Sequence, residues 1–441
     1  MSRLTLTQAA ERREPGREGV SAPAPLSPDR QVTWTFIYIA FLGYVFAVTT
    51  YKLPIGEASM IAALFGLLLQ QESLRLPPLL GWSVLFLGWC ALGYLETAFR
   101  DAVWNNIIVL AKLCLIMLVA TNALRSAAQV RFFMIFFLAC YALFPVRGTL
   151  VNYFVYHETI FGRALWNYIY KNPNDLAAMT LLALSITAAV LATERPGWVR
   201  FCALVGIAVL PMLILMTQSR GGFIGLCVFA ALALAGRRRR LRTTLTLASL
   251  ALALVAVAPS GVWTRVKGLS QVTENLDRVD PEGSAKARSQ IWHVAIKIIG
   301  DHPWTGVGWG AYPMAHADYA PLSGVDQAAL GLRDTHSTYL NVLAETGYPG
   351  LLLFLALLLV AVREAERARR LCERLQPGLA VQLRYLELGL LAFLVAGVFG
   401  SFAKLSFLYL HLALLWATAQ NAMHALQPAR FVDRRWLGPG S

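Results

Sequence analysis

One arginine and one histidine lie at the edges of long apolar segments, where a charge is costly unless it is paired or faces water, and four further arginines lie in the long connections between such segments. These residues are Arg147, Arg163, Arg220, Arg265, Arg288 and His336. The planar fork of an arginine matches the oxygens of a phosphate and stays charged. A neutral imidazole can accept a proton from an attacking hydroxyl. The residue types therefore predict a site that binds a phosphate-bearing substrate and removes a proton.

The composition indicates that a membrane positions these residues. Apolar residues make up 57% of the 441 residues and charged residues only 15%, and the mean hydropathy is +0.54. Such values lie outside the range of soluble globular domains. The chain is long enough for about a dozen spans of roughly 20 residues each. We expect an all-α polytopic membrane protein whose outer surface contacts membrane lipids.

The apolar runs predict about twelve transmembrane helices and divide the chain into five regions. The predicted spans are 33–50, 55–70, 79–97, 103–121, 132–146, 173–192, 199–216, 221–235, 243–258, 338–361, 385–401 and 405–424. The regions are a disordered cytosolic tail (1–32), transmembrane helices 1–9 with an outer loop at 147–172 (33–258), a large outer loop or cap (259–337), transmembrane helices 10–12 (338–424) and a cytosolic tail (425–441). The cap is too long for a simple connection and is predicted to be partly helical.

The distribution of lysine and arginine predicts the orientation. With the N-terminus inside, the inner connections hold most of the basic residues, including the run 237–240. An even number of spans returns the basic C-terminal tail to the inside. The net charge of +14 then follows from topology, and nucleic-acid binding is not expected. The candidate residues of the two long loops face outside.

A phosphate leaving group needs a cation, which is commonly a divalent metal. The outer loops contain no D-x-D pair and no His/Asp cluster with ligand spacing. The six cysteines lie mostly in apolar runs, so they predict neither a disulfide framework nor a metal site. We therefore expect the arginines to supply the positive charge, with no metal and no cofactor.

Each candidate also has a purely structural interpretation. Arg220, in the tight turn of "TQSRGG", could extend to lipid headgroups. Arg265 and Arg288 could be solvated or ion-paired loop residues, and the same alternative stays open for Arg147 and Arg163. The residue types alone do not decide between these interpretations and a ligand site.

His336 directly precedes a span predicted to begin near residue 338. The free N–H groups at a helix N-terminus disfavour the imidazolium and keep the ring neutral. The alternative is a helix-capping or interface-packed histidine. The outer loops also contain His157, His293, His302 and His316, so position alone does not choose among them.

The long outer connection contains two further patterns. The stretch "ARSQIWHVAIKIIG" places Ile291, Trp292, Ala295, Ile298 and Ile299 on one face of a helix, which we expect to lie on the membrane or on the bundle. The glycines of "HPWTGVGWG" lack the strand–helix context of a nucleotide loop and predict a turn. The stretch "KNPND" predicts a turn and helix cap.

Four stretches, in their order and spacing, resemble the O-antigen ligase family within the wider group of O-antigen ligases, O-antigen polymerases and bacterial O-oligosaccharyltransferases. They are "NPNDLA" (172–177), "TQSRGG" (217–222), "RSQIWHVAIKIIGDHPWTGVGWG" (288–310) and "HSTYLNVLAETGYPG" (336–350). With the predicted span layout, the likeness covers most of residues 33–424. The fold that it implies resembles a C-type (GT-C) glycosyltransferase in the bacterial inner membrane, with the outer side facing the periplasm.

The resemblance implies roles at three matching positions. Arg220 of the S-R-G turn and Arg288 of the R-x-x-x-W helix engage an undecaprenyl-pyrophosphate donor, and His336 activates the acceptor. Some relatives carry two adjacent histidines where this chain has Thr335 and His336. Charge and location add Arg265 to the donor-binding set. Possible substrate-binding residues are Arg147, Arg163 and Tyr339.

The resemblance also implies the reaction, in which an O-antigen polysaccharide moves from undecaprenyl pyrophosphate to a sugar hydroxyl of lipid A–core. A single displacement would invert the anomeric configuration. An O-antigen polymerase and a protein O-oligosaccharyltransferase share this chemistry and stay open as alternatives. A transporter for the lipid-linked glycan would need charges along the spans, and Lys112, Glu57 and Glu96 are the only candidates that we expect near the spans.

Overall fold

The computed structural model describes residues 32–50, 55–69, 74–166, 172–235 and 284–434, and side chains are described from residue 287 to residue 426 in the last range. The predicted span 243–258, Arg265 and nearly all of the predicted N-terminal tail lie outside the described residues.

All regular elements in the described part of the chain are helical. The α-helices are α1 (Phe36–Thr49), α2 (Ile55–Leu69), α3 (Pro78–Gly93), α4 (Arg100–Ala123), α5 (Ala127–Tyr141), α6 (Arg147–Phe154), α7 (Pro173–Thr193), α8 (Trp198–Met216), α9 (Arg220–Ala235), α10 (Ser284–Asp301), α11 (Tyr312–Tyr319), α12 (Thr338–Leu375), α13 (Pro377–Ala396) and α14 (Ser406–Arg434). A π-helical turn, Ala142–Val146, joins α5 to α6. Short 3₁₀ turns occur at Ala320–Ser323, Gln327–Ala329 and Gly397–Phe399.

The helices have the length and composition of membrane spans. Six of those described are long and apolar enough to cross a membrane, and four shorter ones are also apolar. In lipid every backbone N–H and C=O group must be satisfied within the protein, which a helix achieves by itself. The prediction of a polytopic all-α membrane protein is confirmed at this level. The count of twelve stays a prediction.

Local sequence signals explain where several helices begin. Thr35 caps α1 by accepting a hydrogen bond from the Tyr38 amide. Ser126 and Gln129 form a reciprocal capping box at the start of α5. Asn172 caps α7, and Pro173 occupies its first turn, as "KNPND" predicts. Side chains thus replace the missing acceptors of the first amides.

The centre of the bundle is α7, which is buried along most of its length. Of its most apolar 18-residue stretch, 83% is buried inside the protein. It packs against α8, α9 and α13. Small residues allow close approach, since Gly222 of α9 contacts Ala177 and Gly389 of α13 contacts Ser185. Close backbone packing of this kind is typical of helices in lipid.

Polar contacts divide the helix ends into two sets. At one end, Tyr38 donates to the carbonyl of Gln129, and Arg131 pairs with Glu194. At the opposite end, Trp89 donates from its indole nitrogen to the carbonyl of Thr346 over 2.9 Å. All the candidate site residues within the described ranges lie at or near this second end, which we call the site end.

A cap formed by α10, α11 and the segments that follow them covers the site end. Ile291, Ala295, Ile298 and Ile299 of α10 are buried, and Trp292 is half-buried. The apolar stripe predicted from the sequence is therefore confirmed, and it faces protein. Burial of this stripe fixes α10 on the bundle.

The helix α12 is broken at Gly347, whose φ of 69° and ψ of −175° are not helical. The amide of Tyr348 instead donates to the carbonyl of Pro303 over 2.9 Å. A Cβ atom at Gly347 would overlap the carbonyl of Trp304. The predicted continuous span 338–361 is therefore wrong in this detail, because the cap inserts its glycine turn at the break.

Two other boundaries differ from the sequence prediction. The predicted loop 147–172 begins with the helix α6, and α14 continues to Arg434 into the predicted tail.

The sequence prediction of charged residues near the spans missed two carboxylates. Glu345 in α12 and Glu387 in α13 are buried, and each pairs with a cation, Lys404 or Arg369 respectively.

Candidate active site

His336 lies one residue before the N-cap of α12, which begins at Thr338 with Ser337 as its N-cap. Its loop is fixed on two sides. The hydroxyl of Thr335 donates to the carbonyl of Ser337 over 2.9 Å, and Thr338 donates to the carbonyl of Gly400 over 2.6 Å. The predicted position at a helix N-terminus is thus observed, and the loop between α13 and α14 holds it.

The imidazole of His336 lies among four charged groups. Burial lowers its pKa, the Asp334 carboxylate raises it, and the positive charges of Arg288, Arg163 and Arg333 lower it further. The net direction is below the ordinary value for histidine, so the neutral, proton-accepting form is favoured. About a third of the side chain, 33%, is still exposed, which leaves it accessible to a substrate hydroxyl.

Arg288 reaches this loop because α10 is anchored there. The indole nitrogen of Trp292, one turn after Arg288, donates to the carbonyl of Thr335 over 2.8 Å. Arg288 is half-buried and interacts electrostatically with His336. The spacing of the R-x-x-x-W pattern therefore places the cation beside the histidine.

Arg163 joins two of the sequence motifs. Its Nε donates to the carbonyl of Thr217 over 2.9 Å, and its Nη2 donates to the Oδ1 atom of Asn174 over 2.8 Å. The amide of Ala164 donates to the carbonyl of Met216. The guanidinium thus fixes the "TQSRGG" turn against the start of α7, in addition to its electrostatic effect on His336.

Arg220 is the first residue of α9 and is half-buried. The adjacent Gly221 packs against the backbone of Ala396. Gly397, the next residue along, packs against the Thr338 side chain. These contacts connect the S-R-G turn to the start of α12, so Arg220 lies at the same end of the bundle as His336.

Backbone strain marks the same region. Four non-glycine residues in the described ranges have positive φ, and they are His157, Phe161, Gln218 and His336. Gln218, at 51°, precedes Arg220 by two residues, and His336 itself has φ of 50°. Such conformations cost free energy and persist where surrounding contacts enforce them, often at functional sites.

For the other predicted substrate-binding residues, the structure gives no hydrogen bond or ion pair with His336 within the described part of the chain. Arg147 is exposed at the beginning of α6, and its neighbour Gly148 packs against the ring of Trp166. The hydroxyl of Tyr339 donates to the carbonyl of Leu394 over 2.8 Å. This hydrogen bond links α12 to α13 and gives Tyr339 a structural role. The position of Arg265 lies outside the described residues.

The structure distinguishes His336 from the other histidines of the predicted outer loops. His157 and His293 are exposed. His302 bonds with the Tyr319 hydroxyl at 3.2 Å, and the Nδ1 atom of His316 lies 2.9 Å from the carbonyl of Gly331.

Where the chain is described, no group of three or more His, Cys, Asp or Glu residues could hold a metal ion. The expectation of metal independence stays a prediction.

Sequence reasoning missed the acidic residues of this site. Asp334 lies 4.0 Å from the Nδ1 atom of His336. Asp175, which the sequence indicated only as part of a turn and cap, is within electrostatic range of Asp334. The D-x-H spacing of Asp334 and His336 was a usable signal, whereas the approach of Asp175 depends on tertiary packing.

Taken together, the described residues place Arg220, Arg288 and the imidazole of His336, whose neutral form is favoured, at one end of a helix bundle. The arginines can stabilise negative charge, and the imidazole can remove a proton from a hydroxyl. A displacement of an anionic leaving group by a hydroxyl needs both functions.

The family comparison agrees with this geometry. The O-antigen ligase family model matches residues 205–355, about a third of the chain, and this region contains Arg220, Arg288 and His336. No curated protein matches the chain. The match confirms the resemblance drawn from the sequence motifs. It supports a membrane glycosyltransferase of the O-antigen ligase or polymerase type.

Proposed function

We propose that the chain, whose residues 205–355 match the O-antigen ligase family model, is an O-antigen ligase of lipopolysaccharide assembly. The donor is O-antigen polysaccharide on undecaprenyl pyrophosphate, and the acceptor is a sugar hydroxyl of lipid A–core. The protein lies in the bacterial inner membrane with twelve spans, both termini in the cytosol and the site end in the periplasm. This arrangement has the character of a C-type glycosyltransferase.

In the proposed reaction the acceptor hydroxyl attacks the anomeric carbon while His336 takes its proton. The new C–O bond forms as the bond to pyrophosphate breaks, and the anomeric configuration inverts. Arg220 and Arg288, with Arg265, bind the departing pyrophosphate and stabilise its growing negative charge. The imidazolium then releases its proton to water. No metal takes part.

The convergence of separate sequence motifs at one end of the bundle carries this proposal. Arg163 joins the segments containing Asn174 and Thr217, and Trp292 joins the segment containing Thr335. Arg288 acts electrostatically on His336, and Arg220 begins α9 at the same end of the bundle. Binding a pyrophosphate next to a base requires cations in such positions.

Transfer of radiolabelled glycan to lipid A–core by the purified protein in EDTA tests the proposal. We expect transfer to continue in EDTA and the product to have inverted anomeric configuration. A loss of activity in EDTA that added Mg²⁺ restores would contradict the metal-independent mechanism. Retention of configuration would contradict the single displacement.

The same assay separates the alternative functions. A polymerase would elongate a second lipid-linked glycan, and a protein O-oligosaccharyltransferase would label a polypeptide. A transporter would move the labelled lipid across a vesicle membrane without forming a new glycosidic bond. The pairing of the buried Glu345 with Lys404 favours a structural use of this charge over a transport path.

A further inference from the structure

Asp334 has no role in the mechanism above, although it is the acidic group that faces the reacting imidazole. We propose that Asp334 is a positioning residue, which holds the His336 ring with its Nδ1 proton directed to the carboxylate and its Nε2 lone pair directed to the acceptor hydroxyl. The inference deepens the proposed function and rests on it for its catalytic consequence.

The geometry supports a direct action of Asp334 on the ring. Its Oδ2 atom lies 4.0 Å from Nδ1 of His336, and the two side chains are partly exposed, 40% and 33% respectively. This separation is within ion-pair range and longer than a hydrogen bond. Hydrogen bonds of catalytic groups are often long before substrate binds, and the pair would tighten as the ring gains charge.

The neighbouring arginine is directed elsewhere. Arg333 donates from Nε to the carbonyl of Leu330 over 3.1 Å and from Nη2 to the carbonyl of Ala328 over 2.8 Å. These bonds turn its guanidinium back into its own loop. The backbone on the other side is held by the Trp292 bond to Thr335. The loop therefore presents Asp334 to His336 in a fixed arrangement.

The charges around the pair explain why a carboxylate is needed. Arg288 from α10, Arg163 from the segment before α7 and Arg333 all disfavour the imidazolium. Without an anion, proton transfer to His336 would create a positive charge beside three others. Asp334 offsets part of this repulsion when the ring is protonated. Asp175 from α7 adds a second negative charge within range of Asp334.

Neutralising Asp334 should slow catalysis without weakening donor binding. In the full-length purified protein, we expect Asp334→Asn to lower kcat by about 10- to 100-fold while the KM for the donor stays within about two-fold. Asp334→Glu should recover part of the lost rate. The acidic limb of the pH–rate profile should move to lower pH in Asp334→Asn, because the carboxylate raises the pKa of His336. Asp318→Asn, at an exposed position of α11, is the matched control.

A second measurement determines directly which nitrogen of the His336 ring carries the proton. In protein labelled with ¹⁵N-histidine, the His336 signal can be assigned among the seven histidines by its loss in His336→Ala. We expect the wild-type ring to carry its proton on Nδ1 and Asp334→Asn to lose this preference. An unchanged tautomer in Asp334→Asn would overturn the proposal, as would a slower rate with an unshifted pH limb.

The two measurements keep this inference separate from the proposed function. If His336→Ala abolishes transfer but Asp334→Asn behaves as wild type, the positioning role fails and the glycosyltransferase proposal stands. If the wild-type protein transfers no glycan, the proposed function fails, and the tautomer measurement still decides whether Asp334 orients the ring.

Discussion

At the scale of single residues, the site depends on the balance of charge around His336. Arg288, Arg163 and Arg333 lower the pKa of the ring, and Asp334 raises it. Arg288, which would bind the pyrophosphate, therefore also favours the neutral form of the base. This dual use explains why a histidine can stand beside several cations and still act as a base at neutral pH.

Replacing Arg288 with glutamine should change both rate and pH dependence. Since Arg288 disfavours the imidazolium, its loss raises the pKa of His336, and the acidic limb of the pH–rate profile should move to higher pH. Transfer at neutral pH should fall by about 100-fold or more, as for the loss of one charge-stabilising donor. Lys297→Gln on the exposed face of α10 is the control, and an equal loss there would contradict the assignment.

Arg163 has a positioning role that the sequence left open. Its bonds to Thr217 and Asn174 hold the turn that precedes Arg220. We expect Arg163→Lys to keep the charge but lose the two-sided geometry, with a free-energy cost of about 1.5–3 kcal/mol per lost charged hydrogen bond. The midpoint temperature of thermal unfolding and the affinity for the donor should both decrease. Wild-type values for both would show that the hydrogen bonds of Arg163 to Thr217 and Asn174 are not required.

At the scale of elements, α12 shows what the sequence could and could not reveal. The start of the helix directly after His336 was predictable from the apolar run. The break at Gly347 was not predicted from the sequence, although Gly347 and Pro349 together were a usable signal. The reason for the break is tertiary, because the Pro303 carbonyl replaces the helical acceptor of the Tyr348 amide.

The first part of α12 is held by a buried ion pair. Glu345 is fully buried and lies 3.2 Å from the Nζ atom of Lys404, which also lies 4.8 Å from the centre of the Trp309 ring. The pair fixes the helix that carries His336 at its start. Its signal in the sequence was a lone glutamate in an apolar run and a lone lysine in a short connection.

Removing the cation alone should be strongly destabilising. We expect Lys404→Met to cost about 3–5 kcal/mol, because it leaves Glu345 as an uncompensated buried charge. The double variant Lys404→Met with Glu345→Gln should recover much of this loss in thermal unfolding. Arg370→Met is the control, since Arg370 lies beyond the predicted span 338–361 and its side chain, paired with Glu366, is 73% exposed. Equal effects of Lys404→Met and Arg370→Met would refute the argument.

At the scale of the whole molecule, the class of fold was the most predictable property. Composition and apolar periodicity indicated a polytopic helical protein, and the buried stripe of α10 followed from its spacing. The packing of the site did not follow from local sequence, because Arg163, Trp292 and Asp175 act through contacts between distant segments. The motif resemblance indicated which segments belong to the site, but only the tertiary structure showed that Asp175 approaches Asp334.

The two sets of helix ends allow a direct test of orientation. In a cysteine-free background, we expect Asp318→Cys in the cap to react with a membrane-impermeant maleimide in spheroplasts. Gly378→Cys, in the first turn of α13 at the opposite end, should react only after permeabilisation. The reverse labelling pattern would place the site end in the cytosol and remove the proposed substrates from its reach.

The central claim is that cations bind the donor while His336 removes the acceptor proton, so these two functions should separate in one variant. We would measure donor binding and glycan transfer side by side in His336→Ala. The account predicts donor affinity within about two-fold of wild type and a loss of transfer of about 100-fold or more. Transfer at the wild-type rate in this variant would contradict the account.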